Sequence, residues 1–228
     1  GEYFPNISFE LYSDNYWISQ YPDLTEDLFS NLNDLKNTEE FEINKYFDID
    51  KWAKYFAIMD LTGSYHGSLA KSVKFFYNPT TALFEPIGYD LHKGAGSFDN
   101  FILIDLLQES DVACSYICRH KEWFYRFFKS GNGELNFNFI DKYIDYLIQF
   151  SNESFINSFL DIYNSELSNY NNAIYKDFPR SDKTTWIGAG FFVYDKNYLF
   201  NRAKLIKKRI NSTNLDKVDI SKVDEDRK

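Results

Sequence analysis

At 228 residues and 27.0 kDa the chain is long enough for one large domain or two small ones, and for a sizeable hydrophobic core. Its 25 Lys and Arg against 34 Asp and Glu give a net charge of -9, opposite in sign to a phosphate-tracking surface, so nucleic acid is not the expected partner. Hydrophobic residues at 44% and aromatics at 20% exclude a disordered polymer, and no unbroken apolar run approaches the roughly 18 residues of a membrane span.

Residues 1–20 mix aromatic and polar side chains without a clean period. Leu24, Leu28, Leu32 and Leu35 at helical spacing then predict a helix over 23–35, with acidic residues in its first turn. A short helix is expected over 38–46, with Asn37 as N-cap and Glu40 in the capping-box position three residues later. Asp48 reads as the N-cap of a helix running to about residue 59, because Trp52, Tyr55, Phe56 and Met59 make one apolar face. This helix delivers Asp60 at its C-terminal end. Met59 is the only methionine, so Gly1 is expected to lie within a larger product or to follow processing, and the compartment stays open.

Residues 61–70, with Gly63 and Gly67, read as a loop. Val73, Phe75 and Tyr77 alternate with Ser72, Lys74 and Phe76 as a strand does. Asn78, Pro79, Thr80 and Thr81 mark a turn, and a second strand is expected over 83–89, with Pro86 placing it at an edge or a bulge. Asp90, His92, Gly94 and Gly96 follow in a loop. From there the period is helical: helices are expected over 98–108, 111–128, 139–150, 153–175 and 196–210, with a loop around 179–190 and a charged, frayed tail over 211–228. The fold class is therefore α+β, mainly helical, one domain with an embedded β-hairpin.

Cys114 and Cys118, four apart in a helical pattern, read as buried thiols. With His120 they do not converge on a tetrahedral metal centre. Gly188-Ala189-Gly190 lacks the third glycine of a dinucleotide fingerprint. Lys204, Lys207, Lys208 and Arg209 form a solvated face where cations suit a helix C-terminus. The sequons at Asn6, Asn152 and Asn211 are no more than chance gives in a chain rich in Asn, Ser and Thr, and carry no inference about secretion.

The constellation with chemical content is the pair Asp60 and Asp90. A hairpin between them goes out and comes back, so its flanking loops share one end and the two carboxylates can be neighbours. In phosphoryl transfer one such aspartate accepts the proton of the attacking hydroxyl while another holds Mg²⁺ on the nucleotide phosphates. Either residue can equally cap backbone groups at the end of its element.

The wording around this pair is more specific than its spacing. The run Met59-Asp60-Leu61-Thr62-Gly63-Ser64-Tyr65-His66-Gly67, then Ser72-Val73-Lys74-Phe75-Phe76-Tyr77-Asn78-Pro79, then Leu83-Phe84-Glu85-Pro86-Ile87-Gly88-Tyr89-Asp90, resembles the spore-coat CotH kinase-like family. The resemblance is concentrated in residues 48–96. It implies an atypical protein-kinase C-lobe-like helical domain over residues 1–210, as a fragment whose N-terminal lobe is missing. It also implies ATP with Mg²⁺ or Mn²⁺ as cofactor, and Ser or Thr of protein partners as phosphate acceptors. Asp60 takes the catalytic-base position and His66 lies in the catalytic-loop segment, contacting phosphate or bracing the loop. Asp90 takes the metal position, Ser72 a metal and cofactor position, and Lys74 a cofactor position. The resemblance further suggests an extracellular, cell-surface or spore-coat setting, and it says nothing of oligomeric state.

Two departures from the family pattern stand out. Ser72 falls where the family has Asn, and a serine hydroxyl is a poorer magnesium ligand than an amide carbonyl. Asp-x-Asp reads here as Asp90-Leu91-His92, with one negative charge fewer. No glycine-rich loop or strand-borne lysine of a kinase N-lobe precedes Asp60, so this chain by itself is expected to bind nucleotide poorly and to transfer phosphate slowly or not at all, the activity belonging to the intact protein. These features open a second expectation, a surface or spore-coat binding protein that keeps the fold without the chemistry. Metal-assisted phosphoester hydrolysis by the same carboxylates is a third, weakened by the lack of a second metal cluster.

Overall fold

The computed structural model describes residues 15–37, 42–64, 73–89, 126–128, 134–177 and 196–212. They form α1 (Asn15–Gln20), α2 (Pro22–Asn37), α3 (Ile43–Tyr46), α4 (Ile49–Thr62), β1 (Lys74–Asn78), β2 (Leu83–Ile87), α5 (Phe137–Phe150), α6 (Glu153–Asp177) and α7 (Lys196–Ser212). The described part is thus mainly helical with one small antiparallel sheet, as the periodicities predict. No helix among the described residues is long and apolar enough to cross a membrane.

Most boundaries fall close to their expected places, and the differences have local causes. The six-residue α1 spans fewer than two turns, too short for a period to show in the sequence. Asn37 is the last residue of α2 and not an N-cap; α3 begins only at Ile43, after Glu42, which makes no side-chain cap bond, and Glu40 lies outside the described residues. Asp48 does cap α4, accepting from Lys51 N at 3.1 Å. That helix runs past Met59 to Thr62, so Leu61 and Thr62 are helical and Asp60 sits in the last turn. Gly63 ends it in the left-handed region at φ 67°, and the Gly63 and Ser64 N–H groups both return to the Met59 carbonyl. The helix expected over 98–108, most of that over 111–128, and the loop around 179–190 lie outside the described residues, although residues 126–128 are helical.

The hairpin pairs Lys74 with Ile87, Phe75 with Pro86, Phe76 with Glu85, Tyr77 with Phe84 and Asn78 with Leu83. Pro86 sits in regular register, without a bulge, because in a two-stranded sheet each strand has an outer edge that needs no ladder bond. The Phe84 carbonyl accepts from both Asp48 N, at 3.1 Å, and Trp52 Nε1, at 3.0 Å, which docks β2 onto the first turn of α4. Glu85 strengthens the junction. Its Oε1 is 2.7 Å from Lys51 Nζ and 2.7 Å from Asn78 Nδ2, and these donors hold its carboxyl below the usual value.

The core is aromatic. Rings of Phe47, Trp52, Phe56, Phe84, Phe127 and Phe139 chain together at centroid separations of 5.1–6.1 Å, mostly edge-on or tilted, as ring quadrupoles favour. The α5 stripe Phe139, Ile140, Tyr143, Ile144 and Leu147 packs on α4, and α7 adds Leu199, Ala203, Ile206 and Ile210. Asn152 N-caps α6, its Oδ1 accepting from Ser154 N at 2.8 Å, so this sequon asparagine has a structural use. At the start of α6 Ile156 is buried and Phe155 and Leu160 pack against the core, while Phe159, Ile162, Tyr163 and Tyr170 are exposed along it.

Candidate functional site

Asp60 lies on the buried stripe of α4, one turn after Phe56 and two after Trp52, and is 0% exposed. Burying a carboxyl without partners is costly, so its partners define the site. The Tyr143 hydroxyl, from α5, donates to Asp60 Oδ2. The Arg202 guanidinium, from α7, donates through Nη2 to the Asp60 main-chain carbonyl. Arg202 is also fully buried and faces the C-terminal end of α4, where the helix dipole favours a cation. One turn earlier on α7, the Tyr198 hydroxyl donates to the Thr62 carbonyl at 3.1 Å. Two carbonyls that the end of α4 leaves without helical partners are therefore taken up by one face of α7.

The Asp60 side chain thus has a partner on another helix, and the end of α4 is closed by Gly63, Ser64 and α7.

Of the other sequence-predicted residues, Lys74 is described. It opens β1, and its ammonium stands 4.6 Å from the centroid of the Tyr89 ring, a cation–π contact. The open end of the hairpin thus brings Lys74 beside the residue that precedes Asp90. His66, Ser72, Asp90 and His92 lie outside the described residues, as do Cys114, Cys118, His120 and Gly188-Ala189-Gly190. Of the basic cluster on α7, Lys204 and Lys208 are exposed and Lys207 and Arg209 are half-buried, so the expected solvated face is open only in part.

No family model, curated protein or solved structure matches the chain.

The dimensions set a condition on any pairing of the two aspartates. Phe84 is tied to the first turn of α4, and twelve residues at ~1.5 Å each separate Asp48 from Asp60, about 18 Å along the axis. From Phe84 to Asp90 an extended chain spans at most about 20 Å. The aspartates can meet only if the end of the hairpin is directed along α4 towards its last turn. Among the described residues no three His, Cys, Asp or Glu side chains gather into a metal site.

Tyr143, Tyr198 and Arg202 are the site residues that sequence reasoning missed. Arg202 carried a legible signal: it falls on the apolar stripe of α7 between Leu199 and Ala203, where a cation needs a partner. Tyr143 carried none, because an aromatic on the α5 stripe reads as ordinary core.

Proposed function

We propose that this chain is the C-lobe-like portion of an atypical protein kinase of the CotH-like kind, transferring phosphate from ATP to Ser or Thr of a protein partner. The observation that supports this reading is Asp60: a fully buried carboxyl, in the last turn of α4, held by a side chain from a second helix while a third holds its backbone. Buried ionisable groups with specific partners are found more often at functional sites than elsewhere. The residues next to it in the chain, Met59 and Leu61 to Gly67, are among those that carry the family likeness. Asp60 is the base, His66 braces the loop that follows, and Lys74 lies on the nucleotide side. Asp90 and Ser72 would hold the divalent cation, which neutralises nucleotide phosphate charge when bound. A base must come within about 2.6–3.2 Å of the acceptor hydroxyl, so the Asp60 side chain has to become accessible when substrate binds.

That requirement favours a second reading, in which the fold is kept and the chemistry is not. At 0% exposure Asp60 serves there only as a polar tie between α4 and α5, and the protein is a catalytically inactive surface or spore-coat binding protein.

Thermal unfolding of the intact protein that carries this chain with its N-terminal lobe, with ATP and Mg²⁺ or Mn²⁺, alongside transfer of labelled phosphate to itself and to casein, separates the two. The kinase reading expects stabilisation of several degrees at ~100 Kd of nucleotide, lost in Asp90→Ala, and transfer lost in Asp60→Asn. If the intact protein shows neither stabilisation nor transfer, the kinase reading falls in favour of the inactive form.

A further inference from the structure

Asp60 is fixed twice, by elements far apart in the chain. Tyr143, 83 positions later, takes its carboxyl, and Arg202, 142 positions later, takes its carbonyl. The next residues are fixed as well, through Tyr198 on the Thr62 carbonyl and through the left-handed Gly63 beneath it. Ending a helix does not demand this. The Gly63 and Ser64 N–H groups returning to Met59 already close α4 in the usual glycine-capped manner. Holding the core together does not demand it either, since apolar residues of similar volume replace buried polar groups at little or no loss of stability. What the double hold does achieve is to fix the direction of one carboxyl relative to its own backbone.

We propose that Tyr143 and Arg202 are positioning residues for the Asp60 carboxyl, Tyr143 setting its side-chain rotamer and Arg202 the main chain that carries it. This rests on the reading of Asp60 as the base. A reacting group displaced by about 1 Å loses on the order of a hundredfold in rate, so a device of this kind acts on turnover and leaves nucleotide affinity alone. Tyr198, a turn before Arg202 on the same face of α7, keeps that helix seated at the end of α4, so α7 acts on the site as a unit.

The test uses the intact protein, N-terminal lobe included, and compares its unaltered form with Tyr143→Phe, Arg202→Lys and Asp60→Asn, each shown to be folded at the assay temperature by its thermal transition. The readouts are kcat and KM for ATP in phosphate transfer to casein. Tyr143→Phe removes one hydroxyl and keeps the ring. It is expected to lower kcat ten- to a hundredfold with KM within twofold, and Arg202→Lys, which keeps the cation and loses the planar fork, to fall between it and the unaltered protein. A Tyr143→Phe protein that melts at a lower temperature but turns over normally overturns the positioning role, provided Asp60→Asn is inactive; Asp60 then remains the base. Transfer that persists in Asp60→Asn, or is absent from the unaltered protein, overturns the base itself and this inference with it. Should Tyr143→Phe fail to fold, Arg202→Lys decides by the same split between kcat and KM.

Discussion

A Cβ on Gly63 would stand 2.7 Å from the hydroxyl oxygen of Tyr198. The same residue has φ 67°, which costs an L side chain roughly 1–2 kcal/mol before any contact is counted. Gly63→Ala is therefore expected to lower unfolding free energy by about 2–3 kcal/mol in urea titrations, because it strains the backbone and pushes Tyr198 off the Thr62 carbonyl. Tyr198→Phe removes the obstructing oxygen. In that background Gly63→Ala should cost less, about the backbone term alone, and equal costs in both backgrounds would show that the close approach is without consequence.

The docking of the hairpin gives the next prediction. Trp52 is fully buried and donates from Nε1 to the Phe84 carbonyl, while the Phe84 ring stands 5.4 Å from that of Phe47. Phe84→Ala empties this position and is expected to destabilise by roughly 3–5 kcal/mol. Trp52→Phe keeps most of the ring volume but leaves the carbonyl with Asp48 N alone, and about 1–3 kcal/mol should go. Amide hydrogen exchange supplies the readout. Loss of protection in residues 74–78 and 83–87 at lower denaturant than in α5 would mark the hairpin as a separately opening unit.

How much of this was legible in the sequence depended on range. Asp48 as an N-cap, the turn at 78–81, the apolar face of α4 and the ranges of α2, α5, α6 and α7 are local patterns, and they are legible within a few residues. The length of α4 is not, since its last turn is stabilised by α7: Tyr198 and Arg202 satisfy carbonyls just before Gly63, in a stretch whose glycine and polar residues read as a loop. The setting of Asp60 was hidden for the same reason, because its partners lie 83 and 142 residues away. A titratable group on an apolar stripe signals that a partner exists without saying where.

Acid titration should expose one surface tie. Lys54 Nζ is 2.7 Å from Asp50 Oδ2 and the Tyr146 hydroxyl is 2.5 Å from Oδ1, and these donors hold Asp50 below its ordinary 3.8. A carboxyl lowered on folding adds stability that is present above its unfolded value and is lost as pH falls through the folded one. The group is partly exposed and screened, so the tie is worth about 0.2–1 kcal/mol. Asp50→Asn should lie below the unaltered protein by this amount at pH 7, with the two urea midpoints converging as pH falls below the ordinary carboxylate range. A gap that stays constant with pH would assign the effect to packing.

Tyr55 makes the corresponding alkaline prediction. It is buried on α4 with its ring 5.6 Å from that of Trp52, and burial pushes its phenol well above the ordinary value of 10.0. A phenol raised on folding contributes stability that is complete below the unfolded value and is lost as pH climbs towards the folded one, because the unfolded chain releases its proton first. The loss is about 1.4 kcal/mol for each pH unit above 10 until the buried phenol itself ionises. Tyr55→Phe removes the ionisation and keeps the ring, so its stability should fall less steeply between pH 10 and 12, by roughly 1–3 kcal/mol over that interval, although the remaining tyrosines still contribute. Urea midpoints at pH 8, 10, 11 and 12 for both proteins measure the difference. Parallel curves would show that the Tyr55 phenol ionises as readily in the folded chain as in the unfolded one, against the burial of its ring beside Trp52.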